Sequence, residues 1–416
     1  MSRPRLRDLA AVAALAALSA AYLVEGRRQI VRVVSEPQSA HKLVASDSEH
    51  YLEIADAFAR GDWSLSYVAP TGGPDKAHRQ PLYPVLLAFV SVLTRRDLAA
   101  LATVNLALVV AAMWLAYAIG TRLFASRLAG LAAAAVLYRV PFLWTNATER
   151  LLTEPSYVLI VLAMGYAFLG SRASGSGRWL LALAAAGGLA YLCRTNGLFV
   201  TAAALSVAAG ADALARARSM GGGDRFSPVP RRWLLAALVL VVVSAPSWVP
   251  RAWHAGDPLY HGYLSNYLWV DTYEEGHVPG PPRYGFRDYA STHGLSDVLA
   301  RARYGLHRAF YSAPREKYGD LVAAAMLASL LVVIARRDGR VLAWMLVGGL
   351  QMLPLAWTAL ANPARRLPAT ALLPFGVVVV AAAVAHCVRI VEARRDAAGD
   401  TREQRAGRRR HEHREH

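Results

Sequence analysis

Ten stretches rich in Ala, Leu and Val, each near the length of a bilayer crossing, constrain this 416-residue chain more than any other feature. They are residues 9–24, 98–118, 128–145, 155–170, 178–192, 196–212, 232–249, 319–335, 340–360 and 367–390. A bilayer core of about 30 Å takes roughly 20 apolar residues as a helix. Inside it, every backbone N–H and C=O must be satisfied within the chain, so helices are the expected elements. The first run lies behind Arg3, Arg5 and Arg7, as a secretory leader would. With nine further spans downstream, it reads better as a retained first helix. A polytopic all-α membrane protein is therefore expected.

Composition agrees. Hydrophobic residues make up 55% of the chain, charged residues 18%, and the mean hydropathy is +0.28. Soluble domains carry about 25% charge, so an ordinary soluble enzyme and a disordered chain are both excluded. The net charge of +17 would suggest nucleic acid in a soluble protein. Here Arg concentrates instead in the short connections, such as Arg122/Arg127, Arg172/Arg178 and Arg336/Arg337/Arg340. By the positive-inside rule these face the cytoplasm, with both termini inside the plasma (inner) membrane. No nucleic-acid partner is expected. Arg outnumbers Lys 43 to 3, which reads as codon bias. Cys193 and Cys387 fall at opposite ends of their spans, too far apart to pair.

The run 81–94 is about 14 residues long, too short to span comfortably, and is flanked by Arg79 and by Arg95-Arg96. An interfacial helix fits it. Were it to span, the 212–232 loop with its five Arg would face outward. Two large loops, 25–97 and 250–318, are thus expected on the outer face. The charged tail 391–416 is expected to be disordered, with attraction to the lipid surface as the alternative. Its scattered His residues are too irregular for a metal site.

The outer face holds the residues with chemical potential. Asp47-Ser48-Glu49-His50-Tyr51 opens an amphipathic stretch to Arg60, where Ser46 or Asp47 could cap a helix. Arg79 precedes Pro81-Leu82-Tyr83-Pro84 and could anchor at headgroups or hold phosphate. Glu149 and Glu154 bracket the next short loop. Glu154 stands where a helix dipole favours a carboxylate, yet ionisable groups near membrane depth are costly and often functional. Arg139, inside the preceding span, is a possible partner for one of these acids. Arg194, Arg251, Arg365 and Arg366 are further outer-face cations, each also readable as an interface anchor. The loop 250–318 adds Trp253, Tyr260, Tyr263, Tyr267 and Trp269, which suit packing, anchoring or a sugar face.

The order of these segments resembles the GT-C membrane glycosyltransferases, in particular the protein O-mannosyltransferase and aminoarabinose-transferase-like group. The matching pieces are the Asp47-xxx-Tyr51 helix, Gly61, Arg79-x-Pro81-Leu82-Tyr83-Pro84 and Leu152-Thr153-Glu154-Pro155. They continue through Tyr191-Leu192-Cys193-Arg194-Thr195-Asn196-Gly197, Pro246-Ser247-Trp248-Val249-Pro250-Arg251 and Arg365-Arg366-Leu367-Pro368. The resemblance covers residues 1–390 as one GT-C-like domain. It implies an inverting hexosyl- or pentosyltransferase that moves a sugar from a polyprenyl-phosphate donor to a hydroxyl acceptor at the outer face. Asp47 would be the general base and Glu154 the second acidic residue. Arg79, Arg194 and Arg365 or Arg366 would take the donor phosphate. Glu49, Tyr51, Glu149 and Arg251 are candidates for support. Family members often carry an adjacent Asp-Glu pair, whereas here Ser48 separates Asp47 from Glu49, turning Glu49 away on a helix. A divalent cation bridging Asp47, Glu154 and the phosphate is conceivable, although no dedicated cage is visible.

The chemistry stands without the resemblance. A hydroxyl nucleophile needs a base in reach, and a lipid-phosphate leaving group needs cations. Two rivals remain open at this point: a lipid or glycolipid transporter or flippase, and a non-catalytic subunit of envelope assembly. Transporters often show paired repeats and midplane polar groups. Here the polar groups gather at one face.

Overall fold

The computed structural model describes residues 3–44, 47–63, 66–68, 74–76, 79–219, 231–255, 258, 267–276, 285–362 and 366–412. It is an all-helical bundle apart from one antiparallel pair, β1 (Ser66–Val68) and β2 (Pro74–Lys76).

Helix α1 (Arg3–Ser35) runs well beyond the expected 9–24 span. Tyr22, Ile30 and Val33 continue its buried stripe, which carries the helix eleven residues into the segment expected to be loop. Then follow α2 (Pro37–Val44) and α3 (Asp47–Ala59). The expected interfacial segment is helix α4 (Leu82–Thr94). It buries Tyr83, Pro84, Leu87 and Ala88 and exposes Phe89, Val92 and Leu93. Arg95 and Arg96 stop it in the left-handed region (φ 51° and 62°), and Asp97 then caps α5 (Leu98–Ala118) by accepting from the Ala99 N–H at 3.0 Å.

A π-helical turn, Ile119–Leu123, ends α5. The span expected at 128–145 is instead two helices, α6 (Arg127–Arg139) and α7 (Pro141–Thr148), bent by 61°. Pro141 lacks the N–H that would continue α6 and pushes Val140 into an extended conformation (ψ 109°), so the helix breaks there. Arg139, expected inside a span, ends α6 and is exposed. α5 and α6 meet through glycines: a Cβ on Gly120 would lie 2.2 Å from the Gly130 nitrogen.

The bundle continues with α8 (Glu154–Ser174), α9 (Gly177–Cys193), α10 (Gly197–Ser219) and α11 (Arg231–Ala255), with α9 packed between α8 and α11. The segment expected as the second outer loop folds into short helices α12 (Tyr273–Gly276), α13 (Phe286–Thr292), α14 (Leu295–His307) and α15 (Ala313–Tyr318). Arg301 fastens it to the bundle. This side chain is 2% exposed, donates to the Tyr267 and Trp357 carbonyls, pairs with Asp271 and lies between the rings of Tyr289 and Trp357. The last helices are α16 (Asp320–Arg336), α17 (Gly339–Thr358) and α18 (Arg366–Glu412). The tail expected to be disordered is helical as far as Glu412. Its Ala, Arg, Glu and Gln are strong helix formers and extend α18 without a break.

Among the described residues, seven helices are long and apolar enough to cross a membrane, or eight if the bent pair counts as one span. The count of ten is not reached on that basis. The expected spans 178–192 and 319–335 are α9 and α16, each seventeen residues long. The core is continuous from α1 to α18 and is filled mainly by Ala, Leu and Val.

Candidate active site

Two arginine–carboxylate pairs gather around Tyr51 where α3, α4, α8 and α9 meet. Asp47 is the first residue of α3, favoured there by the helix dipole. Its Oδ1 accepts from Arg79 Nη2 at 2.5 Å. The same nitrogen donates to His50 Nδ1 at 2.9 Å. A guanidinium only donates, so that histidine ring carries its proton on Nε2. The Arg79 guanidinium also lies over the Tyr51 ring, 5.4 Å from its centroid. One turn separates Asp47 from Tyr51, which puts both on one face of α3.

The second pair is deeper. Glu154 is 1% exposed and begins α8, with Pro155 behind it at a position where the missing N–H costs nothing. Arg194 Nη1 lies 3.0 Å from Glu154 Oε1 and donates to Thr153 Oγ1 at 2.7 Å. Arg194 sits in the turn between α9 and α10, where Gly197 brings the two helices together: a Cβ there would fall 2.1 Å from the Ala190 carbonyl. Burial lowers the Arg194 pKa, but Glu154, Tyr51 and Cys193 together outweigh it and the net shift is upward, so the charge is held. Burial also pushes the Tyr51 phenol above its ordinary value. Four charges act on it in opposition: Arg79 and Arg194 lower it, and Asp47 and Glu154 raise it. Both pairs therefore lie within electrostatic reach of one ring.

Behind Arg79 stands Arg251, fully buried on α11. It donates to the Arg79 carbonyl at 3.3 Å, to Ser247 Oγ at 2.5 Å and to the Tyr191 hydroxyl at 3.3 Å. The Gln80 amide, oriented to satisfy its neighbours, donates to Ser247 Oγ at 2.7 Å and to the Tyr191 carbonyl at 3.2 Å, and accepts from Arg251 Nη1 at 3.3 Å. On the other flank, Tyr83 packs edge-to-face on Tyr51 with centroids 5.3 Å apart and donates to Asn105 Oδ1 at 3.1 Å. Asn105 Nδ2 lies 3.3–3.4 Å from the carbonyls of Asn146, Arg150 and Leu152. Ser48 Oγ accepts from the Leu151 N–H at 3.2 Å.

The structure thus brings together Asp47, Tyr51, Arg79, Glu154 and Arg194 among the expected residues, with Arg251 in support. Glu49 is not brought in. It stands on the opposite face of α3, exposed, on an open groove of about 550 Å³ that Leu52, Glu53 and Arg96 also line. Glu149 is engaged elsewhere, accepting from Gln29 Nε2 of α1 at 3.3 Å. Arg365 lies outside the described residues, and Arg366 begins α18 with its side chain likewise outside them, as do Ser46, Tyr260 and Tyr263. Of the other outer-loop aromatics, Tyr267 is buried and Trp253 is exposed. Asn105 escaped the sequence reading, and His50 and Ser247 stood within its motifs with no role assigned. A lone amide in an apolar run was the one available signal for Asn105. Among the described residues, no group of three or more His, Cys, Asp or Glu is placed to hold a metal ion. Each carboxylate here is matched by an arginine.

Residues 75–248 match the family model of the dolichyl-phosphate-mannose-protein mannosyltransferases. Among solved structures, ArnT from Cupriavidus metallidurans bound to undecaprenyl phosphate superposes with a TM-score of 0.53 at 14% identity, over 90% of this chain and 59% of that one. The chain therefore spans about three fifths of the length of that protein. The archaeal oligosaccharyltransferase AglB from Archaeoglobus fulgidus, in complex with an inhibitory peptide and a dolichol-phosphate, superposes at a TM-score of 0.44 and 13% identity, over 92% of this chain and 52% of that one. No curated protein sequence matches.

Proposed function

We propose that this chain, which has the GT-C glycosyltransferase fold and a mannosyltransferase-family segment at its centre, moves a sugar from a polyprenyl-phosphate donor to a hydroxyl acceptor at the outer face of the plasma (inner) membrane. The observation that carries the proposal is the meeting of two arginine–carboxylate pairs at Tyr51. General bases and phosphate-binding cations stand there side by side at one end of an apolar bundle.

In the proposed reaction the donor phosphate draws Arg79 off Asp47, because a forked guanidinium suits phosphate oxygens at least as well, and bonds Arg194 where it stands beside Glu154. Arg365 or Arg366 adds a further cation from the start of α18. Asp47, released from Arg79, accepts the proton of the acceptor hydroxyl. That oxygen forms a bond to the anomeric carbon from the face opposite the leaving group, and the bond from carbon to phosphate oxygen breaks. The configuration inverts, and the lipid phosphate leaves with the electron pair and its charge on the arginines. Glu154 keeps Arg194 charged and aimed. Tyr51 forms the wall between the two cations. The direction of the chain in the membrane, with both termini cytoplasmic, belongs to the same proposal.

Asp47→Asn tests it. General-base catalysis contributes about 10²–10⁴-fold, so sugar transfer by the purified variant falls by at least about 10²-fold while its level in the membrane is unchanged. Full transfer by Asp47→Asn refutes the assignment. Cysteines placed at the exposed positions Glu49 and Arg150 both label from outside intact cells, and labelling from opposite sides refutes the orientation. A flippase would retain lipid translocation in Asp47→Asn and show no transfer with the wild type.

A further inference from the structure

Asn105 lies eighth in α5, about 10 Å along the helix from its start at 1.5 Å per residue, and is fully buried within a helix of membrane-spanning length. An amide there is expensive unless its polar atoms are bonded. Its partners are neither random nor local. Three carbonyls converge on Nδ2: Asn146, whose oxygen is left over near the end of α7, and Arg150 and Leu152 of the loop leading to Glu154. Tyr83 donates to Oδ1, and three acceptors on one side with a hydroxyl on the other fix which way the amide points. Tyr83 abuts Tyr51, and Tyr51 carries Arg79 over its ring. A continuous chain of contacts therefore runs from Arg79 through Tyr51, Tyr83 and Asn105 into the loop that ends at Glu154, the partner of Arg194. Ser48 supplies a second tie between α3 and the same loop.

We infer that Asn105 is a positioning residue that sets the spacing between the two arginine–carboxylate pairs, and so the width of the phosphate cradle between Arg79 and Arg194. The catalytic part of this inference rests on the proposed transferase reading; the spacing part does not. No apolar side chain can gather three carbonyls. An aspartate cannot do so either, because a carboxylate only accepts. Without the amide, the 149–153 loop keeps one fewer anchor and the two pairs separate over a range of distances.

The test uses the full-length chain with the exposed Cys387 replaced by Ser and spin labels at Glu49→Cys and Arg150→Cys, both exposed positions on the two sides that Asn105 joins. Pulsed electron–electron distance measurement on the wild-type background gives a single narrow distribution. Asn105→Leu broadens or shifts it, Tyr83→Phe broadens it less, and Asn105→Gln, which keeps the amide, restores most of it. If Asn105→Leu does not fold, Tyr83→Phe, which keeps the ring and deletes one hydrogen bond, decides the matter. Distributions identical to wild type in every folded variant overturn the inference, whether or not the protein transfers sugar. The second arm measures transfer per folded molecule with polyprenyl-phosphate sugars. kcat falls about 10-fold or more in Asn105→Leu, donor KM changes less than about 3-fold, and Asn105→Gln recovers most of kcat. A broadened distribution with unchanged kcat overturns the catalytic role. A wild type that transfers nothing while the distance arm behaves as stated refutes the transferase reading and leaves the spacing role standing.

Discussion

The buried pair Arg194–Glu154 makes a quantitative prediction about what holds the site in shape. The carboxylate is 1% exposed, the guanidinium 13%, and the charges approach to 3.0 Å. At an effective dielectric of 20, that distance corresponds to a gross attraction of about 5 kcal/mol, in line with the roughly 3–5 kcal/mol measured when one partner of a buried pair is removed. Glu154→Gln keeps the shape and deletes the charge, stranding a buried guanidinium whose remaining partner is Thr153 Oγ1. It should lower the stability of the detergent-solubilised protein by about 3–5 kcal/mol, a fall of roughly 3–6 °C in Tm for a chain of this size. Arg194→Gln alone strands the carboxylate and costs a similar amount. The double variant strands neither charge and should lose no more than about 1–2 kcal/mol, so the cycle shows a coupling of at least about 2 kcal/mol. Thermal unfolding of the four proteins followed by tryptophan fluorescence supplies the numbers. Single variants that each cost under about 1 kcal/mol, or losses that simply add, would refute the view that this pair is a closed, mutually dependent unit.

Two further outcomes concern the outer segment. His293 Nε2 lies 2.6 Å from Asp271 Oδ2, and that hydrogen bond, aided by the Tyr289 carbonyl, raises the His293 pKa above its ordinary 6.5. Its contribution is complete below that pH and fades as pH rises through the folded value, so exchange-corrected amide protection of 286–292 should drop on going from about pH 6 to about pH 9. His293→Phe should flatten the dependence, and an unchanged slope in that variant would count against it. At Gly305 of α14, a Cβ would lie 1.9 Å from the Ala356 carbonyl of α17. Gly305→Ala must therefore push the two backbones apart, at a cost of about 1–3 kcal/mol or more; a Tm equal to that of the wild type would contradict the close approach.

Much of this architecture was legible before the structure. The apolar run after Pro81-Leu82-Tyr83-Pro84 was too short to span comfortably and is the thirteen-residue helix α4. The Asp47 stretch reads as a helix from the spacing of Ile54, Ala55 and Phe58, and is α3. Those features are local, set by periodicity and proline. What escaped reading depends on long-range approach. Arg79 meets Asp47 across 32 residues, Arg194 meets Glu154 across 40, and Arg251 reaches the Arg79 carbonyl across 172. Sequence order carries no distance between elements, so the arginines expected on the outer face looked alike until packing set Arg79 and Arg194 beside carboxylates and Arg251 behind the Arg79 carbonyl. The break at Pro141 was visible in principle, but the apolar run on either side of it masked a change of direction that leaves hydropathy untouched.

That change of direction has a consequence for depth. Continued straight, α7 would add its eight residues, about 12 Å at 1.5 Å each, to the height of α6. Turned by 61°, it adds only about half of that, some 6 Å, and spends the remainder moving sideways. The loop after it consequently starts about 6 Å lower than a straight rod would deliver it, beside the flank of α5 instead of above its rim. A single proline thus acts as a gauge of reach: it turns the chain back along the bundle, and the loop that follows carries Glu154 inside, 1% exposed.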